Sequence, residues 1–218
     1  MTDRWLTFDC YGTLVDWRTG MAAALAGLGP AAPTVLDGYH RAELEIEAHG
    51  WRPYREVLRE GLRLAAGRAG VDPGDVDAFV RAWPAMPVFA DAGEALCAVR
   101  ADGWKVGIIT NCDEDLFAAT AEYLPVEPDL VVTAERVRSY RPALAHFATF
   151  ASETGATRDN WLHVGTSWIH DVLPAARMGI RSIWTDRDHT GHPPGLATVR
   201  LDSLEMLPAA VALAAARG

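Results

Sequence analysis

The chain has 218 residues, half of them hydrophobic, which suffices for one large core with a modest inserted subdomain and falls short of two full domains. A formal net charge of -9, from 29 acidic and 20 basic residues, disfavours a nucleic-acid backbone or an anionic membrane as the main partner and points to a small molecule. No run of 18 apolar residues occurs, and the first residues, MTDRWLTFDCYG, lead straight into a strand pattern with no secretion-signal layout, so a cytoplasmic location is expected. Cys10, Cys97 and Cys112 lack metal-ligand spacing and are expected to be reduced thiols.

Taken in chain order, short apolar runs at residues 5–9, 105–110, 130–133, 161–165 and 181–185 read as strands buried on both faces. Helical patterns at 91–101, 114–123, 142–154 and 171–178 fall between or after them, Pro142 being well placed to open its helix, and a last helix spans about 203–215. This alternation predicts an α/β fold, a Rossmann-like parallel sheet with crossover helices. Residues 17–85 break the rhythm with helical patterns at 21–28, 35–49, 54–68 and 75–83 and no convincing strand. They read as a helical cap inserted after the first strand, leaving residues 1–16 and 86–218 as the core. Such an insertion lies at the carboxyl end of that strand, where open α/β sheets place their ligands. Residues 189–195, rich in Gly and Pro, read as a surface loop.

The strongest chemical signal is LTFDCYGTLVDW, residues 6–17. An apolar strand ends in Asp9, and Gly12 lets the backbone turn so that the carboxylate can be aimed into a cleft as a nucleophile. Three later stretches end at strand tips: IITN with Thr110 and Asn111, SYRP with Arg141, and HVGTSWIHD from His163 to Asp171. FDCYGTL resembles the first motif of the haloacid dehalogenase superfamily, and the other three resemble its second, third and fourth motifs in the same order. The resemblance spans nearly the whole chain and implies a hydrolase with Asp9 as covalent nucleophile.

Two positions bear on the branch. The phosphatase branch of that superfamily carries a second Asp two residues after the nucleophile, where this chain has Tyr11, and a tyrosine of ordinary pKa near 10 is a poor acid/base. The same branch uses fourth-motif acids to hold Mg²⁺, and Thr166 stands where the first would be, leaving Asp171. The resemblance is therefore to the 2-haloacid dehalogenase-like branch, and it implies no metal and no cofactor; Mg²⁺ belongs only to the phosphatase alternative. It further implies that Asp9 attacks C2 of a small carboxylate, that Thr13 fixes Asp9, and that Arg141, in place of the usual Lys, holds the nucleophile's charge. Thr110 and Asn111 would bind the substrate carboxylate, while Asp171 with Thr166 would orient either Arg141 or the hydrolytic water.

In that branch an Arg from the first long cap helix receives the halide. The segment GYHRAELEIE places His40 or Arg41 at or beside the matching position, with the choice open. Tyr11, Trp168 and His170 are expected in or near the pocket wall, and Trp17, Trp51 and Trp83 are further candidates for lining a cleft between cap and core. His163 reads as a packed residue, and Asp113, Glu114 and Asp115 as charges favoured at a helix start. The rival readings are a Mg²⁺-dependent phosphatase and a binding protein that kept the fold. Homodimerisation is compatible with the resemblance, though no heptad seam supports it.

Overall fold

The computed structural model describes residues 3–216, apart from the side chain of Pro194. Six parallel strands form one sheet in the order β3-β2-β1-β4-β5-β6. They are β1 (Trp5–Phe8), β2 (Lys105–Thr110), β3 (Leu130–Thr133), β4 (Trp161–Gly165), β5 (Arg181–Thr185) and β6 (Val199–Leu201). The central strands β1 and β4 are buried at every residue, as their continuous apolar runs require of a sheet covered on both faces. Short β6, an edge strand with the pattern Val-Arg-Leu, escapes the sequence reading because three half-exposed residues carry almost no hydrophobic signal.

Outside the sheet lie α5 (Ala90–Ala101), α6 (Glu114–Ala121), α7 (Ala134–Val137), α8 (Ala145–Thr154), α9 (Leu173–Arg177) and α10 (Leu207–Ala215). The α8 helix begins three residues after Pro142. The intervening turn, in which the Ala143 amide donates to the Tyr140 carbonyl, turns Arg141 back toward the sheet. Between β1 and α5 the chain forms α1 (Trp17–Ala24), α2 (Ala32–Ala48), α3 (Tyr54–Arg68) and α4 (Val76–Ala82), with a 3₁₀ segment joining α1 to α2 and another following α4. Helix α1 starts four residues before its sequence pattern suggests, because the Asp16 carboxylate accepts from the Thr19 amide and caps the helix there. The chain's paths into and out of this cap are zipped together: Val15 bridges Val88, the Asp16 amide donates to Pro87 O, and the Phe89 amide donates to Leu14 O.

Among the described residues no single helix is long and apolar enough to cross a membrane. The strand order reverses between β1 and β4, so the chain leaves these two strands in opposite directions and a crevice opens at their carboxyl ends. The cap helices roof that crevice.

Candidate active site

Asp9 follows β1, and its amide donates to Val164 O of neighbouring β4, which fixes the strand tip. Thr110 ends β2, Arg141 follows α7, and Thr166 follows β4, so the four motif segments converge at one edge of the sheet. They border a cavity of about 680 Å³ that also takes in Tyr11, Trp17, His40, Glu43, Glu47, Tyr54, Trp83, Asn111 and Trp168.

Asp9 is 5% exposed and held by two donors. Arg141 Nη2 lies 2.6 Å from Oδ1, and Thr13 Oγ1 donates to Oδ2 at 2.9 Å. Thr13 is itself fixed by the Thr166 amide, which donates to its hydroxyl at 3.0 Å, while Thr166 Oγ1 donates to Gly12 O at 2.9 Å. Thr166 thus braces the turn carrying Asp9. Arg141 extends its other terminal nitrogen to Asp171 Oδ1, and one planar guanidinium spans two carboxylates. Burial, followed by the Asp171 charge, pushes Asp9 up to about 6, with Arg141 and Thr13 opposing the rise. Asp171 moves the other way, because the Arg141 and His163 contacts outweigh its desolvation.

Asp171 is buried behind Arg141 and takes no part in the cavity wall. Its second oxygen accepts from the Ser167 amide at 2.9 Å. The geometry is that of a group orienting the arginine. Gly165 makes this approach possible, since a β-carbon there would stand 2.3 Å from Asp171 Cγ.

Asn111 lines the cavity, yet its Oδ1 accepts from the Arg141 amide at 2.9 Å and from Nε at 3.3 Å, so it also clamps the arginine. Thr110 is fully buried and lines the cavity, and its Oγ1 has no hydrogen-bond partner among the described residues. Tyr11 presents its ring, packed 4.8 Å from Trp83, and turns its hydroxyl away to Thr120 Oγ1 at 2.9 Å. Burial raises the Tyr11 phenol well above its ordinary value, so it stays protonated. Trp168 stacks on His192 with centroids 5.1 Å apart and edges onto Trp184, whose indole N–H holds Thr166 O at 2.9 Å.

Of His40 and Arg41, the cavity takes in His40. Successive helical positions point about 100° apart, so one of two neighbours can face a cleft while the other looks elsewhere. His40 lines the cavity, whereas Arg41, expected as a substrate contact, is exposed over a separate shallow groove with Thr34, Gly38 and Arg68. Trp51 lies outside the cavity lining, in contrast with Trp17, Trp83 and Trp168.

Two features go beyond the sequence reading, which has His163 only as a packed residue. His163 is fully buried and links the sheet interior to the site. Trp161 Nε1 donates to Thr7 Oγ1 at 2.8 Å, Thr7 lies 2.9 Å from His163 Nδ1, and His163 Nε2 lies 3.3 Å from Asp171 Oδ1. With Thr7 donating to Nδ1, the remaining ring proton sits on Nε2 and is aimed at Asp171. The second is Glu43 and Glu47, which join His40 on one face of α2, and whose spacing of three and four residues was available to find them.

The donor set does not suit a divalent cation of the phosphatase kind. Asp9 and Asp171, the carboxylates that would converge on it, converge instead on the Arg141 guanidinium, and Thr166 supplies no anionic oxygen. Among the described residues no cluster of three or more His, Cys, Asp or Glu side chains is arranged for a metal.

Sheet, switch-point crevice and helical roof define a capped α/β fold whose cavity lies at the carboxyl edge of its strands. The chain belongs to the haloacid dehalogenase-like hydrolases, whose family model matches residues 4–179. It is 22% identical to (S)-2-haloacid dehalogenase 4A of Burkholderia cepacia over 196 residues, 86% of this chain and 84% of that one. Its fold is similar to that of a crystallised dehalogenase, with a TM-score of 0.84, 20% identity and coverage of 94% and 95% of the two chains. The L-2-haloacid dehalogenase of Xanthobacter autotrophicus, solved with chloropropionic acid covalently bound, superposes with a TM-score of 0.83 at 19% identity over 97% of this chain and 99% of that one.

Proposed function

We propose that this hydrolase works without metal or cofactor, uses Asp9 as a covalent nucleophile, and acts at C2 of a small carboxylate in the manner of a 2-haloacid dehalogenase. The observation that carries the reading is the Arg141 guanidinium bridging buried Asp9 and Asp171 where a metal would otherwise be needed. An Asp9 oxygen attacks C2 in line and the halide departs with the bonding electron pair, leaving an ester on Asp9. Water attacks the ester carbonyl, returning Asp9 as a carboxylate and giving a 2-hydroxy acid; the turnover releases one halide and one proton. Halide needs no proton to leave, consistent with Tyr11, a phenol pushed out of the working range, occupying the acid/base place. The free Thr110 hydroxyl and Asn111 receive the substrate carboxylate, and Asp171 holds Arg141. The covalent chloropropionate complex of the Xanthobacter enzyme supports the same chemistry here.

The test is halide release from S- and R-2-chloropropionate, bromoacetate and fluoroacetate in EDTA, with Asp9→Asn as control. Release that persists in EDTA and is lost in the variant is the expected result. Absence of release from every halo acid, or turnover that requires Mg²⁺, would overturn the reading.

A further inference from the structure

His40, Glu43 and Glu47 form one face of α2 and roof the cavity over Asp9. Glu43 Oε1 accepts from the Tyr54 hydroxyl at 2.5 Å, and its Oε2 lies 3.4 Å from His40 Nδ1. Glu47 Oε2 has the Asn111 amide nitrogen at 3.4 Å. Every arginine bordering the cavity already has a carboxylate: Arg141 has Asp9 and Asp171, Arg187 has Asp91, and Arg18 has Asp188. Among the described residues Glu47 has no ion-pair partner, and Glu43 has only His40. Burial first, then the neighbouring Glu43 charge, push Glu47 well above the usual carboxylate range, against the opposing pull of the Arg141 charge and the Asn111 amide.

A pocket for a simple halo acid, which offers one carboxylate and expels one anion, would gain nothing from two further carboxylates in its roof. Like charges brought together out of water repel strongly. The fully buried Thr110 hydroxyl, which has no partner among the described residues, belongs to a residue lining the same cavity. Among the described residues the cavity thus has an unmet polar group in one wall and an unpaired carboxylate in its roof, and Tyr54 and Trp83 line the wall with aromatic rings, whose faces favour cations.

We propose that Glu43 and Glu47 form a cation subsite, so that the substrate carries a protonated nitrogen, such as an ammonium group, on the cap side of its reacting carbon in addition to its carboxylate. The reaction assigned to such a substrate rests on the Asp9 reading above, whereas the subsite rests on the charge balance of the cavity alone. The bonds made and broken are unchanged: Asp9 displaces halide from C2 while the ammonium group stays on the product.

Two probes differing by that one group test it. Calorimetric titration at pH 7.5 compares 3-aminopropanoate with propionate on the wild-type enzyme and on Glu47→Gln. The wild type is expected to bind the amino probe at least about tenfold more tightly, the scale of one charge-assisted contact. Glu47→Gln is expected to lose most of that preference. Binding of 3-aminopropanoate no tighter than propionate, including no detectable binding of either, would overturn the subsite, and so would an unchanged preference in Glu47→Gln. Halide release from 2-chloro-3-aminopropanoate and 2-chloropropionate separates the two ideas. Binding preference without halide release from either compound would sink the Asp9 reading and leave the subsite standing; release from both at equal efficiency, without binding preference, would do the reverse.

Discussion

Arg141 holds the site together at the scale of single residues, since its three contact sets, Asp9, Asp171 and the Asn111 amide oxygen, use the width of a guanidinium. A lysine ammonium keeps the charge but is compact and cannot reach both carboxylates at once. Arg141→Lys is therefore expected to lower kcat by tenfold or more on any substrate of the Asp9 chemistry and to lower the melting temperature, because one buried carboxylate loses its partner. Steady-state kinetics with a thermal melt checks both, and a fully active Arg141→Lys enzyme would refute the bridging role. Asp9, Thr13, Arg141 and Asp171 were legible in the sequence because each sits in a strand-end motif. The packing of His163 was readable too, but its contact with Asp171 was not, for a lone histidine in an apolar strand gives no sign that Thr7 of the adjacent strand holds one side of its ring and Asp171 the other. Glu43 and Glu47 were hidden among ordinary helix-surface charges until the tertiary fold turned that face inward.

Between elements, the joint of cap and core depends on Asp113. The sequence reading treats this residue as one of three charges at the start of α6, yet its side chain makes no cap for that helix. It reaches across to the start of α3 instead, accepting from the Tyr54 amide at 2.5 Å, the Arg55 amide at 3.0 Å and Arg55 Nε at 2.9 Å. A core carboxylate thus caps a helix of the roof, satisfying amide groups that the helix leaves free, while Pro53 before it offers no side-chain acceptor. Asp113→Ala is expected to cost about 2 kcal/mol, the upper range for loss of a helix cap, and to raise KM more than it lowers kcat because the roof loosens. Urea unfolding and substrate saturation curves measure the two effects; no change in either would remove Asp113 from this role. The helical nature of residues 17–85 was readable from the lack of any alternating run, but a cap supplied from 59 residues away in the chain leaves no local trace.

For the whole molecule, acid stability is set by buried groups that titrate differently in the folded and unfolded chain. His146 is fully buried on α8, and burial first, then the charge of Arg141, drives its pKa from 6.5 down to about 3. His170 is likewise lowered to about 4, mainly by burial, and His163 also moves down. A base whose folded pKa is depressed stays neutral in the fold and takes its proton on unfolding, so it adds no cost above pH 6.5 and a growing one as the pH falls below that value. Asp9 and Glu47 act in the opposite sense, since their raised pKa values let the fold bind protons as the pH drops toward 4. These two offset part of the histidine effect, and a single substitution isolates one term. At pH 5 the unfolded chain gains protonation at position 146 over 1.5 pH units, which at about 1.36 kcal/mol per unit costs the fold about 2 kcal/mol; at pH 8 the cost is absent. His146→Leu, of similar volume and unable to titrate, should therefore gain about 2 kcal/mol relative to the wild type on going from pH 8 to pH 5, whatever its packing cost at pH 8. Denaturant unfolding of both proteins at the two pH values gives that difference directly, and a stability gap that does not move with pH would show that His146 titrates in the fold as it does in the unfolded chain.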